Sequence, residues 1–454
     1  MNIFQINRSD IEDRFDPKYI LYLKDIHNFK YDIFPLKRFL IEKPQYGTAE
    51  IGIPRIKEQQ PRYIRITDIN DFGELDDSLG ATAENCSDEY FLYENDLLFA
   101  RSGATVGKTY LHKHLSYPAF FAGYMIRVRL DESTLLPDYL FAYTQTSFYK
   151  NWVDAIQRAA AQPNINAEEY ASLPIPLPPL SVQQTIVDLY TNAQSQRKRK
   201  LEEAQKLLVS VDAYLLSELG IELSQEDNTL RKRIFKVSSS QLIGSRWDCS
   251  SNKNDFSLKS NKFTNVKLFD VVSINPSVYF PLNIEEITFI PMEAIDENYG
   301  EITANYKKEV AESNGFTRFM QGDLLWAKIT PCMQNGKSAV VRETINGYAC
   351  GSTEFFVLRC NKNKIDVNYL FYIMHVKKLL EYATNFFGGN AGQQRVSKDF
   401  LLNLKIPLPP LDKQIDIASK LQEIQNNAKQ LKNEADMILQ EAKQKVERMI
   451  LGDE

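Results

Sequence analysis

The sequence contains no uninterrupted apolar run of the roughly 18 residues that a membrane-spanning helix needs. Its opening, Met1 to Arg8, reaches charge too soon for the apolar core of a secretory leader, so the cytoplasm is the expected compartment. Cysteine is scarce. Five residues (Cys86, Cys249, Cys332, Cys350, Cys360) are scattered, odd in number and without a C-x-x-C pair, which argues against a disulfide framework and a zinc knuckle. Histidine is scarcer still, and His112 and His114, the one H-x-H pair among four, have no cysteine or carboxylate cluster at ligand spacing. No metal site is expected. Neither sign of charge dominates: 54 Lys and Arg against 59 Asp and Glu leave a net charge of −5, which rules out binding nucleic acid by bulk charge. Any DNA contact must be local. What remains is an ordinary globular composition, 43% hydrophobic and 25% charged. At about 150 residues per domain, 454 residues make about three units.

The organising feature is an internal repeat. Leu173-Pro174-Ile175-Pro176-Leu177-Pro178-Pro179-Leu180-Ser181-Val182-Gln183 returns as Leu404-Lys405-Ile406-Pro407-Leu408-Pro409-Pro410-Leu411-Asp412-Lys413-Gln414. Gln162-Pro163-Asn164 matches Gln393-Gln394-Arg395 at the same displacement, and Arg14-Phe15-Asp16 matches Arg246-Trp247-Asp248 at one position more. A period of about 230 residues is far above the roughly 20 to 50 residues of solenoids, so each copy is a domain with an appendage.

Both copies follow one order: a stretch with short β-rich runs, a proline segment, then a long helical pattern. The runs Tyr63 to Ile66, Phe120-Phe121, Tyr124 to Leu130, Ile287 to Ile290 and Phe355 to Leu358 predict strands, and Asp138 to Ala161 and Val367 to Phe387 predict helices. Each domain is therefore α+β. The prolines predict a stiff hinge, with Ser181 and Asp412 as helix N-caps. Ile417, Leu421, Ile424, Ala428, Leu431, Ala435, Ile438 and Ala442 then step by alternating fours and threes, a heptad seam. A similar seam starts at Ile186, Tyr190 and Ala193, is interrupted by Arg197 to Lys200, and resumes at Leu201, Ala204, Leu208, Val211 and Leu215. The two helices suit an antiparallel coiled coil related by a pseudo-two-fold; two separate surface helices are the alternative.

Two segments imitate catalytic motifs. Gly103 to Thr109 has three residues between its glycines where a P-loop needs four, and Asn275-Pro276-Ser277-Val278 is similar to the N-P-P-[FY] motif of adenine methyltransferases but lacks the second proline and the aromatic. The two Gly-Lys-[Ser/Thr] turns present Lys108 and Lys337 as phosphate or base contacts, or as solvated turn lysines. Arg62 and Arg65, flanking Tyr63 and Ile64, are expected to share a strand face suited to guanine or phosphate, or to solvent. Gln162, Asn164, Gln393, Gln394 and Arg395 sit in corresponding turns beside small residues that permit close backbone approach, and Gln or Asn pairs bidentately with adenine.

At these residues the chain resembles the specificity subunits of type I restriction-modification systems. The resemblance rests on the paired I-P-L-P-P-L-x-x-Q segments, Phe289 to Glu293, Trp326 to Cys332 with Asn335-Gly336-Lys337, and Gly351 to Phe355, with Arg101 to Lys108 as a looser counterpart. It implies two target-recognition domains, residues 14–172 and 246–403, after a segment 1–13. Proline hinges with long helices occupy 173–220 and 404–454, and 221–245 is a connector. It implies a non-catalytic reader of double-stranded DNA that docks two modification subunits and, through them, restriction subunits. No cofactor is expected on this chain; S-adenosylmethionine, ATP and Mg belong to the partners. The candidate DNA contacts are Arg62, Arg65, Arg101, Thr105, Lys108, Gln162 and Asn164 in the first domain. In the second they are Lys328, Thr330, Asn335, Lys337, Ser352, Thr353, Gln393, Gln394 and Arg395. The alternative is a catalytic methyltransferase or nuclease subunit of a related system, which binding of S-adenosylmethionine by the isolated chain would indicate.

Overall fold

The computed structural model describes residues 28–76, 78–157, 163–223, 258–390 and 393–452, with Lys18, Tyr22 and Ile26. Gln162, both Arg-x-Asp segments and all but the opening of the expected connector lie outside the described residues. The chain forms two compact units, residues 1–201 with 433–454 and residues 202–432. The long helices Leu180–Leu219 and Leu411–Leu451 each contribute a part to either unit. Among the described residues, no helix is long and apolar enough to cross a membrane.

In the first unit, one sheet orders its strands Gln45–Tyr46, Met125–Val128, Leu97–Ala100, Thr109–Leu111, all antiparallel. A second sheet orders Ile53–Pro54, Ala81–Thr82, Arg62–Ile64, Ala119–Phe121, the last pair parallel. The run Leu97-Leu98-Phe99-Ala100 is apolar throughout because both its faces are covered: Leu97 and Phe99 join the core shared with the helices, and Leu98 joins the core shared with the second sheet. The second unit repeats the plan. Val272–Ile274, Phe355–Cys360, Leu324–Ala327 and Ser338–Val340 form one sheet; Tyr306–Glu309, Glu286–Ile290, Tyr348–Gly351 and Thr317–Met320 form the other. There Leu324 and Trp326 face the helices and Leu325 faces the second sheet.

The expected helices are each broken once. Pro137–Thr144 is followed by Ser147–Ile156, and Val367–His375 by Lys377–Ala383, with the non-helical residues Thr146 and Val376 at the breaks. The proline segments are strands as well as turns: Pro174–Pro176 pairs antiparallel with Ile33–Pro35, and Lys405–Pro407 with Asn265–Lys267. A two-stranded ribbon tolerates the prolines because each strand keeps a free edge. The hydroxyls of Tyr139 and Tyr369 donate to the carbonyls of Pro176 and Pro407 at 2.7 and 2.8 Å, fastening each ribbon to its domain's helix.

Both long helices begin one residue before the expected caps, at Leu180 and Leu411. Ser181 and Asp412 therefore lie inside the first turn, and the Pro179 carbonyl accepts from the amides of Val182 and Gln183. In the first unit the helices run antiparallel: Arg197 meets Asp436 at 3.8 Å and Lys200 meets Glu434 at 2.6 Å. In the second unit Lys413 meets Glu218 at 2.6 Å, and Val211 and Leu215 share a core with Ile417 and Leu421. The fold is thus an α+β tandem repeat with an antiparallel coiled coil. The seam differs from its expected course in two ways. Leu421, Ala428, Ala435 and Ala442 are buried as expected, but Gln425, Leu439 and Val446 are their buried companions, while Ile424, Leu431 and Ile438 are half-buried. Arg197 does not interrupt the seam but belongs to it. It is buried because the first domain covers it, its guanidinium lying 3.9 Å from the Phe72 ring and 2.8 Å from Glu74.

Candidate nucleic-acid interface

In each domain the central apolar strand ends in a turn where three sequence segments meet. In the second, the Lys328 amide donates to the Glu354 carbonyl, the Val396 amide to the Lys328 carbonyl and the Thr330 amide to the Gln394 carbonyl, all at 2.9 Å. In the first, the Arg101 amide donates to the Tyr124 carbonyl, the Ile165 amide to the Arg101 carbonyl and the Gly103 amide to the Pro163 carbonyl. Arg101, Thr105 and Asn164 are thereby brought together, as are Lys328, Thr330, Ser352, Thr353, Gln393, Gln394 and Arg395. Asn164, Thr353 and Gln393 are exposed and the others half-buried.

The side chains on these matched frames differ. Arg395 holds both carboxylate oxygens of Glu354, Nε and Nη2 each at 2.8 Å, and this hydrogen bonding keeps the Glu354 carboxyl below its ordinary range. In the first domain Tyr124, 68% exposed, and Asn164 occupy those two places. The Arg101 guanidinium lies 4.7 Å from the Tyr46 ring. Beside Lys328 and Thr353 opens a cleft of about 440 Å³, whose other walls include Arg318, Ser277 and the exposed Tyr279.

Other candidates are occupied within the protein. Arg62 is 2% exposed, pairs with Asp76 and donates to its carbonyl at 3.1 Å, so it is part of the domain's interior. It does not share a face with Arg65: the strand ends at Ile64, the step between the two is odd, and the exposed Arg65 clasps Asp68 at 2.7 Å. Lys108 donates to the Ile69 carbonyl at 3.4 Å and pairs with Asp71 at 2.7 Å, holding that carboxyl below its usual range. Lys337 donates to the Met292 carbonyl at 3.4 Å, and the exposed Asn335 donates to Glu297 at 3.2 Å. Both turn lysines thus tie the Gly-Lys turn to the loop after the parallel strand.

The imitations of catalytic motifs resolve structurally. Gly103–Thr105 is one 3-10 turn leading to strand Thr109–Leu111, not the helix N-terminus on which a P-loop rests its phosphates. Asn275, at φ 53°, accepts from the Val357 amide at 2.9 Å through its side chain, so it extends its own sheet. His112 meets the Tyr110 hydroxyl at 3.2 Å, and no metal-holding group of His, Cys, Asp and Glu exists among the described residues.

Two features escape a reading of the sequence. Glu354 lies far along the chain from Arg395, and no local pattern joins them. The second is a groove that occurs twice: Gln184, Val187, Asp188 and Thr191 face Leu136 to Asp138, and Ile415, Ala418, Ser419 and Gln422 face Asp366 and Asn368. Each of these helix positions has its counterpart at the displacement of the proline segments, so the repeat itself is the signal.

A family model described as the type I restriction modification DNA specificity domain matches residues 23–206 and 260–437. The EcoEI and EcoAI type I specificity subunits of Escherichia coli are 29% and 33% identical over 186 and 181 residues, 41% and 40% of this chain. The matched part spans 31% of the length of either relative. A solved structure concerned with complex assembly and conformational transition of the type I R-M system covers 93% of this chain and 96% of its own. Its TM-score is 0.52 at 15% identity, a likeness of fold.

Proposed function

Because the chain belongs to the type I restriction-modification DNA specificity family, as a specificity subunit, we propose that each of its domains reads one half of a bipartite double-stranded DNA target. The observation that carries this is the pair of matched three-segment turns with unmatched side chains, Tyr124 and Asn164 against Glu354 and Arg395. Equal backbone frames with different donors and acceptors suit two readers of different bases. The long helices, which take part in both units, set the unread gap between half-sites. Linking two readers makes the second encounter intramolecular, so two contacts of modest affinity act as one specific one.

The twice-repeated groove beside the helices suits two copies of one partner, the modification subunit, and restriction subunits join through that complex. The chain itself carries out no chemistry in this reading. S-adenosylmethionine, ATP and Mg are held by the partners, since neither segment resembling a catalytic motif has the geometry of one. The test is replacement of residues 28–172 by the equivalent domain of a relative, in complex with the modification subunit, followed by mapping of methylated bases. One half of the motif is expected to change and the other to stay. A change in both halves, or methyl transfer by the chain without its partner, would overturn the proposal.

A further inference from the structure

We propose that Arg395 reads a guanine in the second half-site and that Glu354 is the positioning residue that aims it; this rests on the domains being DNA readers. A guanidinium carries five N–H donors in one plane. Glu354 takes the Nε–H and one Nη2–H, each at 2.8 Å, and the Gln393 carbonyl takes one Nη1–H at 3.0 Å. Two donors remain, one on Nη1 and one on Nη2. A guanine presents two adjacent acceptors, O6 and N7, in the major groove, whereas adenine places a donor beside its N7. A fork of two donors therefore accepts guanine and sets donor against donor at adenine.

The fork is fixed before DNA arrives. Arg395 lies in strand Arg395–Val396, paired with Phe387–Gly388 on one side and bridged to Ile329 on the other. The backbones of Glu354 and Val396 both bond Lys328, and the Glu354 amide bonds the Ser352 hydroxyl at 3.2 Å. Glu354 and the neighbour of Arg395 are thus tied to one residue, which lowers the ordering cost of binding. The Arg395 side chain remains 41% exposed. The first domain is the internal contrast: with Tyr124 and Asn164 at these places it has no such fork, and an exposed amide suits adenine.

The experiment maps methylated sequences made by the complex with its modification subunit, comparing the natural chain with Arg395→Ala, Arg395→Lys and Glu354→Gln. The natural motif is expected to contain a G·C pair in the second half-site. Arg395→Ala should reduce discrimination at that single position by about 5- to 150-fold, the range of one bidentate base contact. Arg395→Lys keeps the charge without the fork and should relax the same position, and it decides the matter if the alanine variant does not fold. Glu354→Gln should relax that position partially, which a purely structural role would not do. A second half-site without G·C, an unchanged motif in both Arg395 variants, or equal weakening on all sequences with a shallower salt dependence, as from a phosphate contact, would each overturn the proposal and leave the DNA-reading function standing. A natural complex whose methylated motif is not bipartite would instead overturn that function.

Discussion

Gln183 and Gln414, at corresponding places of the two repeats, make the same three hydrogen bonds. The Gln183 side chain accepts from the Leu136 amide and donates to the carbonyls of Thr134 and Pro178; Gln414 accepts from Asp366 and donates to Lys364 and Pro409. All six distances lie between 2.8 and 3.1 Å, and both side chains are buried. This glutamine closes the I-P-L-P-P-L-x-x-Q motif because one amide side chain satisfies three backbone groups that the proline turn and the domain helix leave open.

Gln414→Ala strands those groups in the interior, and a buried unsatisfied group costs about 1 to 3 kcal/mol. Urea unfolding should show the second unit destabilised by that order, and Gln183→Ala should do the same to the first. An unchanged midpoint in both would remove the glutamine from the account of the motif.

His375 is expected to make the second unit sensitive to acid. It is half-buried, its ring 3.3 Å from the Ser338 hydroxyl and 5.2 Å from the Phe371 ring. Loss of solvent pushes its pKa down from 6.5 to about 4, against the opposing effects of the Glu297 backbone and the Asp296 charge. The folded state thus favours the neutral ring, so its contribution is whole above about pH 6.5 and is lost as pH falls toward about 4, by roughly 3 kcal/mol in all. In the first domain the corresponding residue is Gln145, which bonds Thr109 at 3.0 Å. His375→Gln should therefore flatten the acid limb of a stability profile; an unaltered limb would place the sensitivity elsewhere.

These comparisons show what is legible in the sequence. Features that repeat are visible because two copies filter accident from need: the proline segments, the helices after them and the paired turns. The buried companions Gln425 and Leu439 are not, since a heptad pattern fixes one stripe and the partner's shape selects the other. Arg62 has the look of a surface group because nothing local announces Asp76 returning to meet it. Arg395 is visible from its turn, but its partner Glu354 belongs to another strand's end, and pairings at that distance are made by the fold.

Arg62→Leu should separate these two kinds of arginine. It removes the bonds to Asp76 and the packing on Gly80, so thermal unfolding should show the first unit destabilised by about 1 to 3 kcal/mol. The methylated motif should stay the same. A relaxed first half-site with unchanged stability would return Arg62 to the reading surface.

Seven residues inserted after both Leu201 and Lys432 keep the apolar seams in phase. They lengthen each helix by ~10.5 Å, about three base pairs at ~3.4 Å each. The unread gap in the methylated sequence should grow by up to that amount with both half-sites intact. An active variant with the original gap would show that the helices do not set it.

The division of the chain also dictates an order of assembly. The first unit's core includes Leu439, Ala442, Val446 and Ile450, while the second unit draws only on residues 202–432. During synthesis, at roughly 5 to 20 residues per second, the core that holds Ile186, Tyr190 and Ala193 must wait for these four side chains until the last helix emerges, after the whole of the second unit. The part made first is thus finished last, and a ribosome that stalls before Leu439 leaves an apolar helix face for chaperones to shield.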